Sequence, residues 1–265
     1  MTRGLKEGNM SRLKIITGLM LCLFLTAIPA MAVDLGVRGY YWLPDLEGNI
    51  TYEGDVTDAT DLDFVDDLGM ERESYPMIEV FAGLGDHHLS FTYYKASYSG
   101  SESLDETIEF GDETYTAGID VDSELEYTVM DFAYQWDAIN LENILAGGSL
   151  GLVGKVKYFD ITASIEDEDG TIGKEEADIG VPIPMVGLNL HVGILANILE
   201  ARLQVTGMGY SGNRVVEFLG DVSYTPFPFM DIHAGYRSFS VSVDVEDVEA
   251  ELVTAGPYVA LTIGF

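Results

Sequence analysis

The strongest constraint in the sequence is a period-two alternation of apolar and polar residues that recurs in ten separate segments. Successive side chains of a β-strand point to opposite faces, so this alternation predicts strands with one apolar face. Turn-rich or acid-rich stretches separate the segments. The predicted strands span residues 34–43, 75–84, 89–98, 124–136, 145–161, 179–195, 200–210, 214–224, 230–243 and 252–265.

The connections between these segments alternate between long and short. Most segments have at least the roughly 9–11 residues that a tilted strand needs to cross a bilayer. An up-and-down antiparallel transmembrane β-barrel, with long loops outside the cell and short turns in the periplasm, produces this rhythm. The short 211–213 connection, on the long-loop side, is the exception. We predict an all-β barrel of ten strands, or of eight if the two weak segments 200–210 and 214–224 are not strands.

Residues 1–32 have the organisation of a secretory signal peptide. Four basic residues precede an apolar run of 13 residues from Ile15 to Ala27, and the small-residue site Ala30-Met31-Ala32 follows. The run is short for a helix that must cross about 30 Å of hydrocarbon. We expect cleavage after Ala32, which leaves residues 33–265 as a single transmembrane barrel.

Acidic residues dominate the charge of the chain and are concentrated in a few places. The sequence has 45 acidic and 13 basic residues and a formal net charge of −32. Of the acidic residues, 33 lie in the stretches 44–73, 97–126, 166–178 and 244–251, all on the side of the long connections. We therefore predict long acidic extracellular loops. This charge excludes a nucleic-acid partner and favours cations.

The last segment carries the apolar residues Val259, Leu261, Ile263 and Phe265 at every second position. This pattern resembles the C-terminal insertion signal of Gram-negative outer-membrane β-barrels. The likeness to small barrels of the OmpA and OmpW class spans residues 33–265. It implies a location in the outer membrane of a Gram-negative bacterium, contact with lipid and lipopolysaccharide, and recognition of the last strand by the barrel assembly machinery.

If the apolar face of each strand meets lipid, the opposite face lines the lumen. That face carries five basic residues, five carboxylates and several neutral polar residues, which predicts a nearly charge-balanced, salt-bridged interior. A barrel of this size with bulky charged side chains leaves a filled or very narrow lumen. The predicted lumen residues are Arg38, Glu79, Asp131, Gln135, Lys155, Lys157, Asn189, His191, Arg202, Gln204, Glu217, Asp221, Asp231, His233 and Arg237.

Two functions are compatible with such a barrel. One is a narrow passive channel or transport component for small solutes or ions. The other is a structural or surface-interaction barrel with a sealed lumen and loops that attract cations. An outer-membrane enzyme is a third alternative, but we predict no enzyme. The histidines of the sequence lie away from the outer rim, where the known outer-membrane proteases and lipid-modifying enzymes place their catalytic groups.

Residues 165–176 partly match a calcium-binding EF-hand loop. Asp167, Asp169 and Glu176 occupy ligand positions of that loop, but Ile165 replaces the first ligand and the flanking segments are strand-like. A solvated acidic hairpin tip with Asp-Gly turn chemistry explains the stretch better. We expect no cofactor apart from weakly bound divalent cations.

Aromatic residues collect near the ends of the predicted strands, which is typical of the girdles at the two membrane interfaces. We predict one rim from Tyr40, Tyr41 and Trp42. The other predicted rim contains Trp136, Tyr224, Phe227, Phe229 and Phe265.

Overall fold

The computed structural model of the protein describes residues 33–52, 60–70, 73–105, 107–110, 113–140, 147–195, 198–245 and 248–264. The predicted signal peptide, residues 1–32, and Phe265 lie outside the described residues.

The described residues form fourteen strands. In chain order these are β1 (Val33–Trp42), β2 (Asp45–Tyr52), β3 (Thr60–Asp63), β4 (Tyr75–Leu84), β5 (His87–Ser103), β6 (Ile108–Phe110), β7 (Glu113–Tyr115), β8 (Asp120–Asn140), β9 (Gly148–Asp167), β10 (Lys174–Leu195), β11 (Leu199–Tyr210), β12 (Asn213–Phe227), β13 (Met230–Val245) and β14 (Val248–Gly264). No helix among the described residues is long and apolar enough to cross a membrane.

Ten of these strands, β1, β4, β5 and β8 to β14, form a closed antiparallel barrel. The barrel closes where β1 pairs with β14, from Gly36 opposite Gly264 to Trp42 opposite Tyr258. The predicted fold and strand number are confirmed. The eight-stranded alternative is wrong, because β11 pairs along its whole length with residues 213–224 of β12.

The strand β2 continues the line of β1 beyond Leu43 and Pro44. Trp42 lies opposite Tyr258 of β14, and Asp45 lies opposite Ala255, so both strands keep one register with β14. The Leu43 amide donates a 3.0 Å hydrogen bond to the Pro257 carbonyl across the interruption. The first barrel strand therefore extends about twice as far as predicted, and the prediction of a loop beginning at residue 44 is wrong for residues 45–52.

Much of the other acid-rich sequence is also strand rather than loop. The strands β8, β9 and β10 have 21, 20 and 22 residues, about twice the 9–11 that a bilayer requires. They project at the end of the barrel that carries the long connections. We call this projecting part the extension, and we call the two ends of the barrel the long-connection end and the short-turn end. The prediction of loops over 99–123 and 162–178 is wrong for the residues that belong to β5, β8, β9 and β10, because the alternation of inward and outward side chains continues there with polar residues outside.

Apolar and polar side chains exchange faces where the extension begins. On the short-turn part of β8, Phe132 is 54% exposed on the outside and Asp131 is buried inside. On the extension part of the same strand, Glu124 is exposed outside and Val129 is buried inside. Hydrocarbon favours apolar side chains on the outside of a barrel, whereas water favours polar ones there. The exchange therefore marks the boundary of the membrane-spanning part.

The same exchange occurs at a similar level on three other strands. The outward side chains change from Phe91 and Tyr93 to Ser97 and Ser99 on β5, from Val156 and Tyr158 to Asp160 and Thr162 on β9, and from Ile232 and Tyr236 to Ser238 and Ser240 on β13. Below this level, the outside of the barrel is a continuous apolar band. Soluble monomers rarely expose so large an apolar surface, so the band requires lipid around it. The predicted insertion residues Val259, Leu261 and Ile263 belong to the band, with 44–55% of each residue exposed.

The predicted aromatic rims are correct on one side and partly wrong on the other. At the short-turn end Trp136, Tyr224, Phe227 and Phe229 are 44–67% exposed. At the other rim only Tyr41 faces out, whereas Tyr40 and Trp42 are 5% and 1% exposed and point into the barrel. Inside the barrel, Trp42 packs against the rings of Tyr75 and Tyr94, and the Tyr40 hydroxyl contacts Arg38 and Glu79.

Candidate functional site

The lumen contains a polar cavity, a cluster of buried charges and an aromatic core, in this order from the short-turn end. The cavity has a volume of about 300 Å³. Thirteen of the fifteen predicted lumen residues border it, namely Arg38, Glu79, Asp131, Gln135, Lys155, Asn189, His191, Arg202, Gln204, Glu217, Asp221, His233 and Arg237. Lys157 is fully buried in the charge cluster. Asp231 accepts a hydrogen bond from Thr225 near the short-turn rim.

The charge cluster joins four strands at the inner end of the cavity. Lys155 and Lys157 of β9 both contact Asp131 of β8, at 3.2 and 2.7 Å, and both contact Glu217 of β12. Arg237 of β13 also pairs with Glu217. All five side chains are at most 6% exposed. We call these five residues the ion cluster; its three cations and two carboxylates cross-link the wall at mid-height.

Aromatic rings contact the ion cluster on the side of the extension. The Arg237 guanidinium carbon lies 5.1 Å from the ring centre of Trp42 and 5.3 Å from that of Tyr94. The Lys157 ammonium nitrogen lies 5.5 Å from the ring centre of Phe239. Cation–π contacts of this kind stabilise desolvated charges. They connect the ion cluster directly to the apolar layer above it.

The aromatic core fills the lumen where the extension begins. Its rings pack in edge-to-face, stacked and tilted pairs with centre-to-centre distances of 5.2–6.3 Å. The indole nitrogen of Trp42 donates a 3.1 Å hydrogen bond to the Gly256 carbonyl. The core consists of Trp42, Tyr75, Tyr94, Tyr98, Tyr127, Phe159 and Phe239, each at most 6% exposed. The prediction of a polar interior is therefore correct only below the core, and the face exchange along the strands is the sequence signal for these residues.

Two segments between strands cover the extension end of this core. The turn after β3 buries Phe64, Leu68 and Met70, and Ser123 of β8 donates a hydrogen bond to the Leu68 carbonyl. The β6–β7 hairpin buries Tyr115, whose hydroxyl contacts the carbonyls of Ile165 and Gly173 at 3.1 and 3.0 Å. Parts of the predicted acidic loops are therefore packed onto the barrel.

A hydrogen-bonded network lines one wall of the cavity. Arg38 pairs with Glu79 at 3.1 Å and donates to the Thr262 hydroxyl at 2.6 Å. The same hydroxyl lies 2.9 Å from Nε2 of His233, and Nδ1 of His233 lies 3.4 Å from Asp221. Asp221 also receives hydrogen bonds from Arg202 and from the Tyr258 hydroxyl, at 3.1 and 2.9 Å. This wall holds charges of both signs in fixed positions.

All four histidines of the sequence lie in the short-turn half of the barrel. His87 contacts the Tyr134 hydroxyl, and His88 lies 3.3 Å from Asp137. His191 lies 3.0 Å from Glu200 at the cavity mouth. His233 belongs to the wall network. No histidine therefore lies in the extension.

The predicted calcium ligands do not converge. Asp167 accepts hydrogen bonds from the backbone amides of Thr171, Ile172 and Gly173 at 2.7–3.1 Å. Donors therefore occupy the oxygens that a cation would need, and these hydrogen bonds, above all that from Gly173, lower the pKa of Asp167 to about 2. Glu176 pairs with Lys174 on the outer face of β10, and Asp169 is exposed in the turn. Within the described ranges, no three His, Cys, Asp or Glu side chains form a group that could hold a metal ion.

No protein-family model matches the sequence, and no curated protein matches it. Solved structures do match. The outer-membrane protease OmpT from Escherichia coli is 12% identical, with a TM-score of 0.56 over 87% of this chain and 97% of that chain. The fold is that of an outer-membrane β-barrel. The translocator domain of the autotransporter NalP from Neisseria meningitidis is 11% identical over 99% of both chains, with a TM-score of 0.41.

This fold and the lipid-facing band agree with the predicted location in the outer membrane. The identity to OmpT is too low to carry its protease activity over to this chain.

Proposed function

We propose that this protein is a closed outer-membrane barrel that acts at the cell surface through its extension and does not conduct solutes. The observation that carries the proposal is the filling of the lumen by the ion cluster and the aromatic core. Lys157 of the ion cluster and Trp42 and Tyr98 of the aromatic core are each 0–1% exposed. A water column through these levels would have to displace buried charges or rings. Of the two alternative functions, the surface-interaction barrel is therefore favoured over the channel.

The extension has the construction of a soluble domain, which supports a role in water. Its inner face is apolar and its outer face is polar and mainly acidic. The exposed carboxylates form neighbouring rows on three strands, Asp122 and Glu124 on β8, Asp160 and Glu166 on β9, and Glu176 and Asp178 on β10. Such a field attracts cations and basic partners and repels anions. With the long connections outside the cell, this surface faces the medium and the lipopolysaccharide.

Planar-bilayer recordings test the closed lumen. The purified protein, inserted into a lipid bilayer in molar KCl, is expected to give no conductance steps. A variant that combines Trp42→Ala with Arg237→Ser removes the two stacked side chains at the junction of the core and the cluster. We expect this variant to conduct. Its conductance would also show that the barrel inserts into the bilayer, so that the absence of current from the native protein reflects a closed lumen. Regular conductance steps from the native protein would contradict the proposal.

Binding of a cationic probe tests the surface role. Vesicles that display the extension are expected to retain penta-lysine at low salt. Changing Asp122, Glu124 and Asp178 to their amides removes three outward charges and should weaken retention several-fold. The matched control changes Asp34, Asp137 and Glu200 to their amides, because these three side chains border the cavity at the other end of the barrel. Equal retention by all three proteins would refute a role for the acidic face.

A further inference from the structure

The cavity of the short-turn half has the properties of a binding site and is not used by a closed barrel that acts through its extension. Its volume of about 300 Å³ lies at the lower end of the range for small-molecule sites, roughly 300–1,000 Å³. The side chains at its mouth are partly accessible: His191 is 37% and Glu200 is 33% exposed. Deeper residues such as Asn189 and Asp221 are 1% and 7% exposed. The cavity is therefore an open cup with a buried floor.

Four residues that border this cup have a buried polar atom without a hydrogen-bond partner among the described residues. Oδ1 of Asp131 belongs to the ion cluster, and Nδ1 of His233 lies 3.4 Å from Asp221, which leaves two such atoms. They are Oδ1 of Asn189, an acceptor, and Nε of Arg202, a donor. The other polar groups of these side chains are engaged: Asn189 donates to Gln204 at 3.2 Å, and Arg202 donates to Asp221 at 3.1 Å. A buried polar atom without a partner costs about 1–3 kcal/mol. Both atoms belong to residues that border the cavity, so a bound molecule can satisfy them.

The register places the two unpartnered atoms on one patch of the wall. Asn189 of β10 lies opposite Gln204 of β11, and Arg202 is the next residue of β11 on the same face. Diagonal neighbours of this kind are about 7–8 Å apart, within reach of long side chains that lean together. The patch thus offers one hydrogen-bond donor with a positive charge beside one neutral acceptor.

From this arrangement we propose that the cavity binds a small zwitterion of the α-amino-acid class. The carboxylate of such a ligand accepts from Arg202, and its ammonium group donates to Oδ1 of Asn189. The surrounding charges favour a ligand that carries both signs. A simple anion would lie near the carboxylates of Asp221 and Glu200, and a simple cation would lie near the guanidinium groups of Arg202 and Arg38.

Calorimetric titration of the folded protein in detergent micelles tests this site. Glycine and L-alanine are the probes, and acetate and methylammonium represent the two halves of the ligand. We expect saturable binding of both amino acids, and binding at least tenfold weaker for either half alone. Arg202→Gln and Asn189→Ala are each expected to weaken amino-acid binding at least tenfold.

The control is Arg214→Gln, because Arg214 is exposed on β12 at the long-connection end. This variant should bind as the native protein does. The Asn189 variant keeps every ion pair of the cavity, so it remains informative if the Arg202 variant fails to fold.

Absence of amino-acid binding to the folded protein would overturn the proposal, and the cavity would then be a solvent-filled cup. Acetate binding as tight as that of alanine would also overturn it, since the site would then be a plain anion site. A conducting barrel would refute the proposed surface function without affecting this titration, so the two proposals fail separately.

Discussion

The ammonium nitrogen of Lys157, on β9, lies 3.3 Å from a carboxylate oxygen of Glu217, on β12, although two strands separate them in the sheet. Both side chains are buried, with exposures of 0% and 3%. The pair therefore crosses the lumen instead of following the wall. It joins β9 to β12 at the level where the polar cavity ends, and Phe239 covers the Lys157 ammonium from the other side.

Replacing Glu217 by Gln should destabilise the barrel strongly. Glu217 contacts Lys155, Lys157 and Arg237, so the variant leaves three buried cations with Asp131 as their remaining carboxylate. Breaking a buried ion pair by removing one partner costs about 3–5 kcal/mol. Denaturant unfolding in lipid vesicles, followed by tryptophan fluorescence, measures the change.

The matched control is Glu126→Gln on the outer face of the extension. Glu126 pairs with Lys95 at 2.6 Å, but these side chains are 37% and 48% exposed. Water screens such a pair, so the loss should be about 1 kcal/mol or less. Similar losses for the two variants would show that the ion cluster does not hold the wall together.

Replacing Gly187 by Ala should disturb the pairing of β10 with β11. A Cβ atom at this position would lie 1.9 Å from the Val205 carbonyl oxygen, so the two strands must move apart. We expect a destabilisation of about 1–3 kcal/mol, the typical cost of overpacking. Gly154→Ala is the control, because a Cβ there meets nothing within 4 Å. Unfolding midpoints that fall equally in both variants would contradict the close approach of the two strands.

The tip between β9 and β10 should lose order only in strong acid. Its backbone hydrogen bonds lower the pKa of Asp167 to about 2, from about 3.9 in an unfolded chain. Asp167 therefore stabilises the tip fully above about pH 4, and this contribution disappears as the pH falls through about 2. Amide hydrogen exchange of residues 171–173 measures it. The readout is the protection of these amides relative to an unfolded chain at the same pH. Protection that is already lost near pH 5, or that is unchanged in Asp167→Asn at neutral pH, would contradict this assignment.

The ten strands could be predicted because the membrane-spanning parts obey one simple rule. Along β14 the outward residues Val259, Leu261 and Ile263 alternate with the inward residues Ala260 and Thr262, which are 6% and 2% exposed. The lipid outside and the crowded lumen inside impose opposite preferences on the two faces. The position of a polar residue in such a strand therefore determines whether its side chain points into the lumen or towards lipid.

The extension could not be predicted in the same way, because both faces change character there. Tyr94 and Tyr98 face inward on β5, and Ser97 and Ser99 face outward, so the alternation continues with its sides exchanged. A search for apolar residues on a constant face ends such a strand too early and assigns the polar remainder to a loop. The assignment of Tyr40 and Trp42 to an aromatic rim at the membrane interface is wrong, because both rings face the interior.

The sequence predicts which residues of the ion cluster face inward, but it does not predict which of them contact each other. Lys155 and Lys157 are predictable as inward residues from the pattern of β9. Their contact with Glu217 depends on how far each strand is shifted along its neighbour, and this shift accumulates over three pairings. Turn lengths and side-chain packing together determine this shift. It therefore cannot be predicted from the alternation of residues within one strand.

Thiol accessibility tests the closure of the lumen most directly. The single cysteine of the sequence, Cys22, lies in the predicted signal peptide, so a processed chain reports only on introduced cysteines. Ala96→Cys places a thiol in the aromatic core, where Ala96 is 1% exposed, and Ala133→Cys places one on the wall of the cavity. With the folded protein in vesicles, we predict that a small charged thiol reagent labels Cys at position 133 from the short-turn side and leaves position 96 unlabelled from both sides. Rapid labelling of position 96 would show a continuous water path through the barrel and would contradict the closed lumen.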